Sequence, residues 1–333
     1  MSIDIQILID KHLDKRDIEE IIYSVGFKKE RNDNRYYWFN GDFISIRGCW
    51  FSFAYDVESF YGDDSKIIRT VCSTTTNAGR SYGDFQMQID IIKKFEEAFG
   101  GIVYSDGEIG YYENDFPNLS RTEIACGYAY ITFERNLAMA EQLMEEVDSA
   151  KLLEYQKLGI LPTFEKSLLR NNTLVPFLVS IMESFLRMFL QNYISSNEEA
   201  ENLIFKRKEK LSYAVVKELL NNEKNIIEVE MENYSFQSFN SANKAYTHFI
   251  GIDLFKDIFS HKMMIDGQEL SMISILSELL EKRHKLIHEA ELDFSLDKQQ
   301  MEKYYDCLVL LGETFKRVFK EKKNIRIDLE NQL

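Results

Sequence analysis

Residues 270–288 read LSMISILSELLEKRHKLIH. Leu276, Leu280 and Ile287 lie on one apolar stripe of a helix at 4-3-4 spacing, and the missing member of that stripe is Arg283. A guanidinium facing a core is costly unless paired. Arg283 therefore predicts either a carboxylate partner inside a bundle or a stripe that opens onto a cleft. Two of the chain's five histidines, His284 and His288, follow on the same helix.

The helical signal extends on both sides of this stretch, from about Glu134 onward. Leu137–Lys157 predicts a polar-faced helix bridging two halves of the chain. Leu174–Tyr193 is strongly apolar, with Val175, Val179, Met182, Leu186, Phe189 and Tyr193 on one stripe. Further helices are expected over Lys208–Leu220, Ala242–Phe259, Leu270–His288 and Lys298–Phe319, the last opened by Asp297 and Gln300 in a capping pattern. Residues 222–240 are polar and aperiodic and read as a loop.

The first half is mixed. Asp17–Val25 predicts a short helix stopped at Gly26, and Asp84–Phe99 a second one ended by Gly100-Gly101. Strands are expected over Tyr36–Phe39, Phe43–Ile46, Trp50–Tyr55, Lys66–Cys72, Ile102–Tyr104 and Ile124–Phe133. Asn40-Gly41 separates the first two by two residues, a hairpin signal. The expected fold class is an α+β domain over residues 1–135 followed by an all-α bundle over residues 136–325.

Composition bounds the function. With 333 residues, 45% hydrophobic content and three prolines, the chain is globular and can bury two cores. No apolar run reaches the ~20 residues that span a bilayer. The start, MSIDIQILIDKHLDKRD, carries acids within its apolar stretch, unlike a signal peptide. Four scattered cysteines without a CxxC pair argue for a reducing cytoplasm rather than a disulfide framework or structural zinc. The net charge is −15, but residues 1–150 hold 15 Lys+Arg against 27 Asp+Glu, whereas residues 151–333 hold 25 against 28. The second half can therefore present a local basic surface, although nothing in the charge balance suggests tight nonspecific duplex binding, which needs many phosphate contacts. Lys206-Arg207-Lys208 with Lys210 either holds an RNA backbone or forms a solvated helix face. No phosphate-loop pattern occurs, and Gly100-Gly101 is a helix stop.

Three chemistries compete for the histidine pair. His284 and His288, four apart and about 40° around a helix, have the spacing of a metal clamp. Against it, Lys285 stands where a zincin carries Glu, and no third ligand is evident beyond His261. The pair also suits a helix C-terminus, where cationic side chains meet the dipole. The third reading is RNA cleavage through the 2′-OH, which needs a base, an acid and a cation for the phosphorane. Histidine serves as acid or base near neutrality, and arginine grips phosphate with a fixed fork. On an α-helix Arg283 and His288 stand about 140° apart, awkward for one chain and natural for a cleft between two copies.

In RHKLIH, Arg283 is followed by polar His284, and apolar Leu286 and Ile287 precede His288. This Arg-x4-His pattern at the end of a bundle helix resembles the signature of catalytic HEPN domains. The preceding ILSELLEK and the polar turn into a long final helix resemble the RiboL-PSP type, over roughly residues 150–325. In SIMESFLRMFLQNYI, Glu183 and Arg187 stand four apart, where the family often carries an acid and a basic residue. Glu183 is either the partner of Arg283 or part of a weak surface pair with Arg187.

The resemblance implies a metal-independent endoribonuclease without a cofactor. It would act on RNA as a homodimer with both motifs lining one cleft, in antiviral, abortive-infection or toxin–antitoxin systems. Arg283 and His288 would carry the reaction, with His284 and Glu183 orienting or supporting them. The first domain would sense or regulate, through a protein partner. One departure is Ala290, where the toxins silenced by tyrosine modification carry Tyr. The rival expectation is a catalytically silent HEPN dimerisation module that displays the first domain as a scaffold. Such modules usually lack the Arg or the His, and both are present here.

Overall fold

The computed structural model describes residues 2–30, 34–58, 67–144, 166–207, 210–265 and 267–329. Two compact units form, Met1–Ile124 with Leu329–Leu333, and Ala125–Asp328. Residues 125–135, expected with the first domain, thus belong to the second unit.

The first unit comprises β1 (Ile3–Ile9), α1 (Lys15–Ser24), β2 (Lys28–Lys29), β3 (Arg35–Trp38), β4 (Cys49–Glu58), β5 (Ile67–Thr76), α2 (Tyr82–Phe99), β6 (Ile102–Ser105) and β7 (Glu108–Ile109). The strands build one antiparallel sheet in the order β2-β3-β4-β5-β1-β6-β7. Pairing of Ile5 with Thr74 and of Ile7 with Cys72 turns alternate residues of β1 toward a buried core. Ile18 and Ile22 of α1 and Phe85, Ile89, Ile92 and Phe95 of α2 join that core.

The expected strand Phe43–Ile46 does not form, and β3 pairs directly with β4 beyond the 39–48 loop. The cause is Asp84, whose buried carboxylate accepts the N–H groups of Ile46 (3.0 Å), Arg47 (2.8 Å) and Gly48 (2.9 Å) and the Ser45 hydroxyl. Those donors are unavailable to a strand ladder. Asn40 and Gly41 shape a turn in this loop, where Asn40 Oδ1 accepts from the Asp42 N–H at 2.8 Å.

The expected strand Ile124–Phe133 is also corrected. These residues lie in α3 (Arg121–Glu141). Cys126, Ala129, Tyr130, Phe133, Leu137 and Ala140 recur at three- and four-residue intervals and are buried, so helical packing overrides local β-propensity. The helix expected over Leu137–Lys157 coincides with α3 as far as Glu141, and residues 145–165 lie outside the described residues.

The second unit continues with α4 (Lys166–Ser196), α5 (Glu198–Phe205), α6 (Tyr213–Leu220), α7 (Ile226–Met231), α8 (Phe239–Phe249), a π turn at Phe255–Phe259, the hairpin β8 (Lys262–Ile265) and β9 (Gln268–Ser271), α9 (Met272–His284), a π turn at Lys285–Glu289, and α10 (Lys298–Lys323). The hairpin makes it helical rather than strictly all-α. The expected loop at 222–240 contains α7, started by an Asn225–Glu228 capping box. The helix expected over Ala242–Phe259 stops at Phe249, and Gly251 turns the chain at φ 74°.

The predicted stripe of α4, Val175 to Tyr193, is buried throughout. Phe185 and Phe189 pack edge-on against Phe315 at 5.0 and 5.5 Å, and Phe189 against Phe319 at 4.5 Å, so α4 and α10 share the central core. By length and composition α4 matches a membrane span, yet these apolar side chains form the middle of the bundle.

Candidate functional site

Ser271 caps α9 by accepting from the Ser274 N–H at 3.3 Å, and Met272, Ile275, Leu276 and Leu279 form its buried stripe. This stripe differs from the expected one: Leu280 is half-buried and Ile287 is 53% exposed. Arg283, four residues after Leu279, lies half-buried at the stripe's end rather than in the core. It makes no hydrogen bond or ion pair among the described residues.

Beyond His284 the helix widens into the π turn Lys285–Glu289, closed by Ala290 in the left-handed region at φ 53°. The interval between Arg283 and His288 is thus largely π-helical, and α-helical angles do not describe the pair. His284 and His288 are exposed, with ring centroids 4.7 Å apart and planes inclined by 45°.

Glu183 of α4 stands close enough for the Arg283 charge to act on it, without reaching ion-pair distance. Burial raises its carboxyl above the ordinary value, against the opposing pull of the Gln237 amide and Arg283. Its Oε1 is buried without a hydrogen-bond partner among the described residues, and Oε2 accepts only a long 3.4 Å contact from Gln237 Nε2. Arg187 is exposed and forms no ion pair with Glu183, though both line one open pocket of about 550 Å³.

The loop after His288 is fastened by residues without a signal in the sequence. Asn171 Nδ2 donates to the Leu296 carbonyl at 2.9 Å, and Asn172 bonds both backbone groups of Asp293. Asp293 also pairs closely with Lys282 and accepts from the Ser295 hydroxyl at 2.6 Å. Burial opposes its ionisation, but these bonds prevail and hold its carboxyl below the ordinary value. Glu278 ties α9 to α10, accepting from Gln300 (3.0 Å), Lys303 (2.7 Å) and Tyr304 (2.6 Å).

The other sequence candidates divide. Arg207 is committed to Glu230 at 2.5 Å and to the Tyr234 hydroxyl at 2.7 Å, whereas Lys206 and Lys210 are exposed and Lys208 lies outside the described residues. His261 donates from Nδ1 to the Ile258 carbonyl at 2.9 Å and accepts at Nε2 from Arg317. Both ring nitrogens are used, which removes it as a third ligand beside His284 and His288. Among the described residues no three His, Cys, Asp or Glu side chains gather as a metal site would require.

The RiboL-PSP-HEPN family model matches residues 143–321, which takes in the α9 motif, Glu183 and the fastened loop. No curated protein and no solved structure matches the chain. The match covers more than half of the 333 residues, and the chain belongs to the RiboL-PSP-HEPN family.

Proposed function

We propose that the chain is a metal-independent endoribonuclease acting as a homodimer, with the helical second unit as the cutting domain and the first unit as a regulatory one. HEPN domains are associated with RNA cleavage and with nucleotide binding. One juxtaposition supports cleavage: an arginine and an exposed histidine share a helix end beside an acid, and among the described residues the arginine has no ion pair and the acid is short of donors.

The RNA 2′-OH attacks its own phosphorus, the P–O5′ bond breaks, and a 2′,3′-cyclic phosphate and a 5′-hydroxyl result. His288 takes the 2′ proton in one role or delivers a proton to the 5′ oxygen in the other, and the second copy's motif supplies the remaining role. Arg283 neutralises the phosphorane with a bidentate grip. His284 steadies the His288 ring, and the Glu183 charge orients Arg283. Lys206 and Lys210 suit flanking phosphates.

The −12 balance of residues 1–150 disfavours RNA there and suits a regulatory protein partner. Antiviral defence or toxicity in the cytoplasm is the setting. Mapping total RNA ends after induced expression tests the proposal: new ends and slowed growth are expected for the wild type and neither for His288→Ala. Identical end maps and growth would reduce the domain to a scaffold.

A further inference from the structure

We propose that the pocket beside the motif reads a guanine of the RNA, a role that rests on the ribonuclease function above. Glu183 and Arg187 of α4 line it together with Tyr234, Ser235 and Gln237 from the segment before α8.

Its aromatic wall is held in place. Arg207 donates to the Tyr234 hydroxyl at 2.7 Å, its guanidinium lies 5.7 Å from the ring centroid, and the ring meets Phe249 edge-on at 6.2 Å. A ring fixed in this way offers a stacking surface to an unpaired base. Arg207, from the basic run, thus shapes the pocket instead of touching phosphate.

The polar groups select the base. Among the described residues Glu183 is an acceptor short of donors, with Oε1 unpartnered and Oε2 in only the 3.4 Å contact from Gln237. A carboxylate accepts two adjacent donors, and guanine alone presents two side by side, N1–H and the N2 amine. Adenine and cytosine set one amine beside an acceptor nitrogen, and uracil sets one N–H between two carbonyls. Each of these turns a lone pair toward the carboxylate. Gln237, exposed at the rim, can donate to guanine O6. Presenting both oxygens needs a turn about the terminal torsion of Glu183, which is soft. Arg187, exposed beside it, suits the adjoining phosphate. The influence of Arg283 on Glu183 sets this pocket next to the cutting motif.

Calorimetric titration of the full-length His288→Ala protein with GMP, IMP, AMP, CMP and UMP tests the assignment. GMP should bind about tenfold more tightly than AMP, CMP or UMP, and IMP, which lacks the N2 amine, should lose most of that advantage. Glu183→Gln, which keeps the shape, and Gln237→Ala, at an exposed position, should each level the five affinities. In the cutting protein, guanine should be enriched at one position beside the cleavage site and lose that enrichment in Gln237→Ala. Equal affinities, or a GMP preference that survives both substitutions, overturn the subsite even if RNA is cut. Guanine-selective binding by a chain that cuts no RNA keeps the subsite and defeats the ribonuclease function instead.

Discussion

Asn172 grips Asp293 with both ends of its amide: Nδ2 donates to the Asp293 carbonyl at 2.9 Å, and Oδ1 accepts the Asp293 N–H at 2.8 Å. A buried side chain on α4 thereby replaces a strand partner for the loop that follows the Arg-x4-His motif.

Replacing Asn172 with Ala should be costly, because it leaves a backbone donor and acceptor of Asp293 without partners. A loss of about 2–4 kcal/mol is expected. Denaturant titration measures it, and hydrogen exchange at the Asp293 amide should accelerate at the same time. A variant as stable as the wild type would show that the loop does not depend on this grip.

How far the sequence foretold these arrangements depends on how local their causes are. The stripe of α4 and the Asp297 cap, which accepts the Gln300 N–H at 2.8 Å, follow from neighbours a few residues apart and were legible. The 39–48 loop was not, since Asp84, some forty residues away, determines it. Asn171 and Asn172 carry no sequence signal, because a buried amide reads like an exposed one until its distant partners are known. In α3, the run from Ile124 to Phe133 is rich in β-branched and aromatic residues, and its helical spacing emerges only when extended to Leu137 and Ala140. In α9, the buried stripe runs one position away from the apolar spacing, because Leu276 belongs to it and Leu280 only borders it.

Glu183 should cost the fold stability at neutral pH. Burial first of all raises its carboxyl in the folded state. Its contribution is therefore fully present below the unfolded value, about 4, and is lost as pH rises through the folded one. Glu183→Gln should stabilise the protein at pH 7 by roughly 0.5 kcal/mol, a modest gain because the group is only half-buried, and the gain should vanish below about pH 4. Thermal unfolding at the two pH values checks this, and a destabilised Gln variant at pH 7 would show that the attraction to Arg283 outweighs burial.

The proposed shared cleft demands two copies. Sedimentation at micromolar concentration should give about twice the 39.2 kDa chain mass. His288→Ala should lower cleavage by roughly 10²–10⁴-fold. Arg283→Lys should fail as well, since a point charge lacks the bidentate fork. His288 is exposed and Arg283 lies half-buried at a helix end outside the core, so the variants should unfold like the wild type. A monomer that cuts RNA, or an active Lys variant, contradicts the shared cleft or the role of Arg283 respectively.

The chemistry of the ends separates the two uses of the histidine pair. If His288 and Arg283 act directly on the phosphodiester, EDTA should leave the rate unchanged. Products should carry a 2′,3′-cyclic phosphate or its opened form and a 5′-hydroxyl, and a 2′-deoxy nucleotide at the scissile position should block cutting because the nucleophile is gone. If His284 and His288, whose rings lie 4.7 Å apart, instead held a metal, chelation would stop the reaction. A metal-activated water would then leave a 5′-phosphate and a 3′-hydroxyl. Cleavage of one oligonucleotide with and without EDTA, followed by end-group analysis, decides between them. Ends bearing 5′-phosphate that disappear with the chelator would transfer the chemistry from the Arg–His pair to a metal.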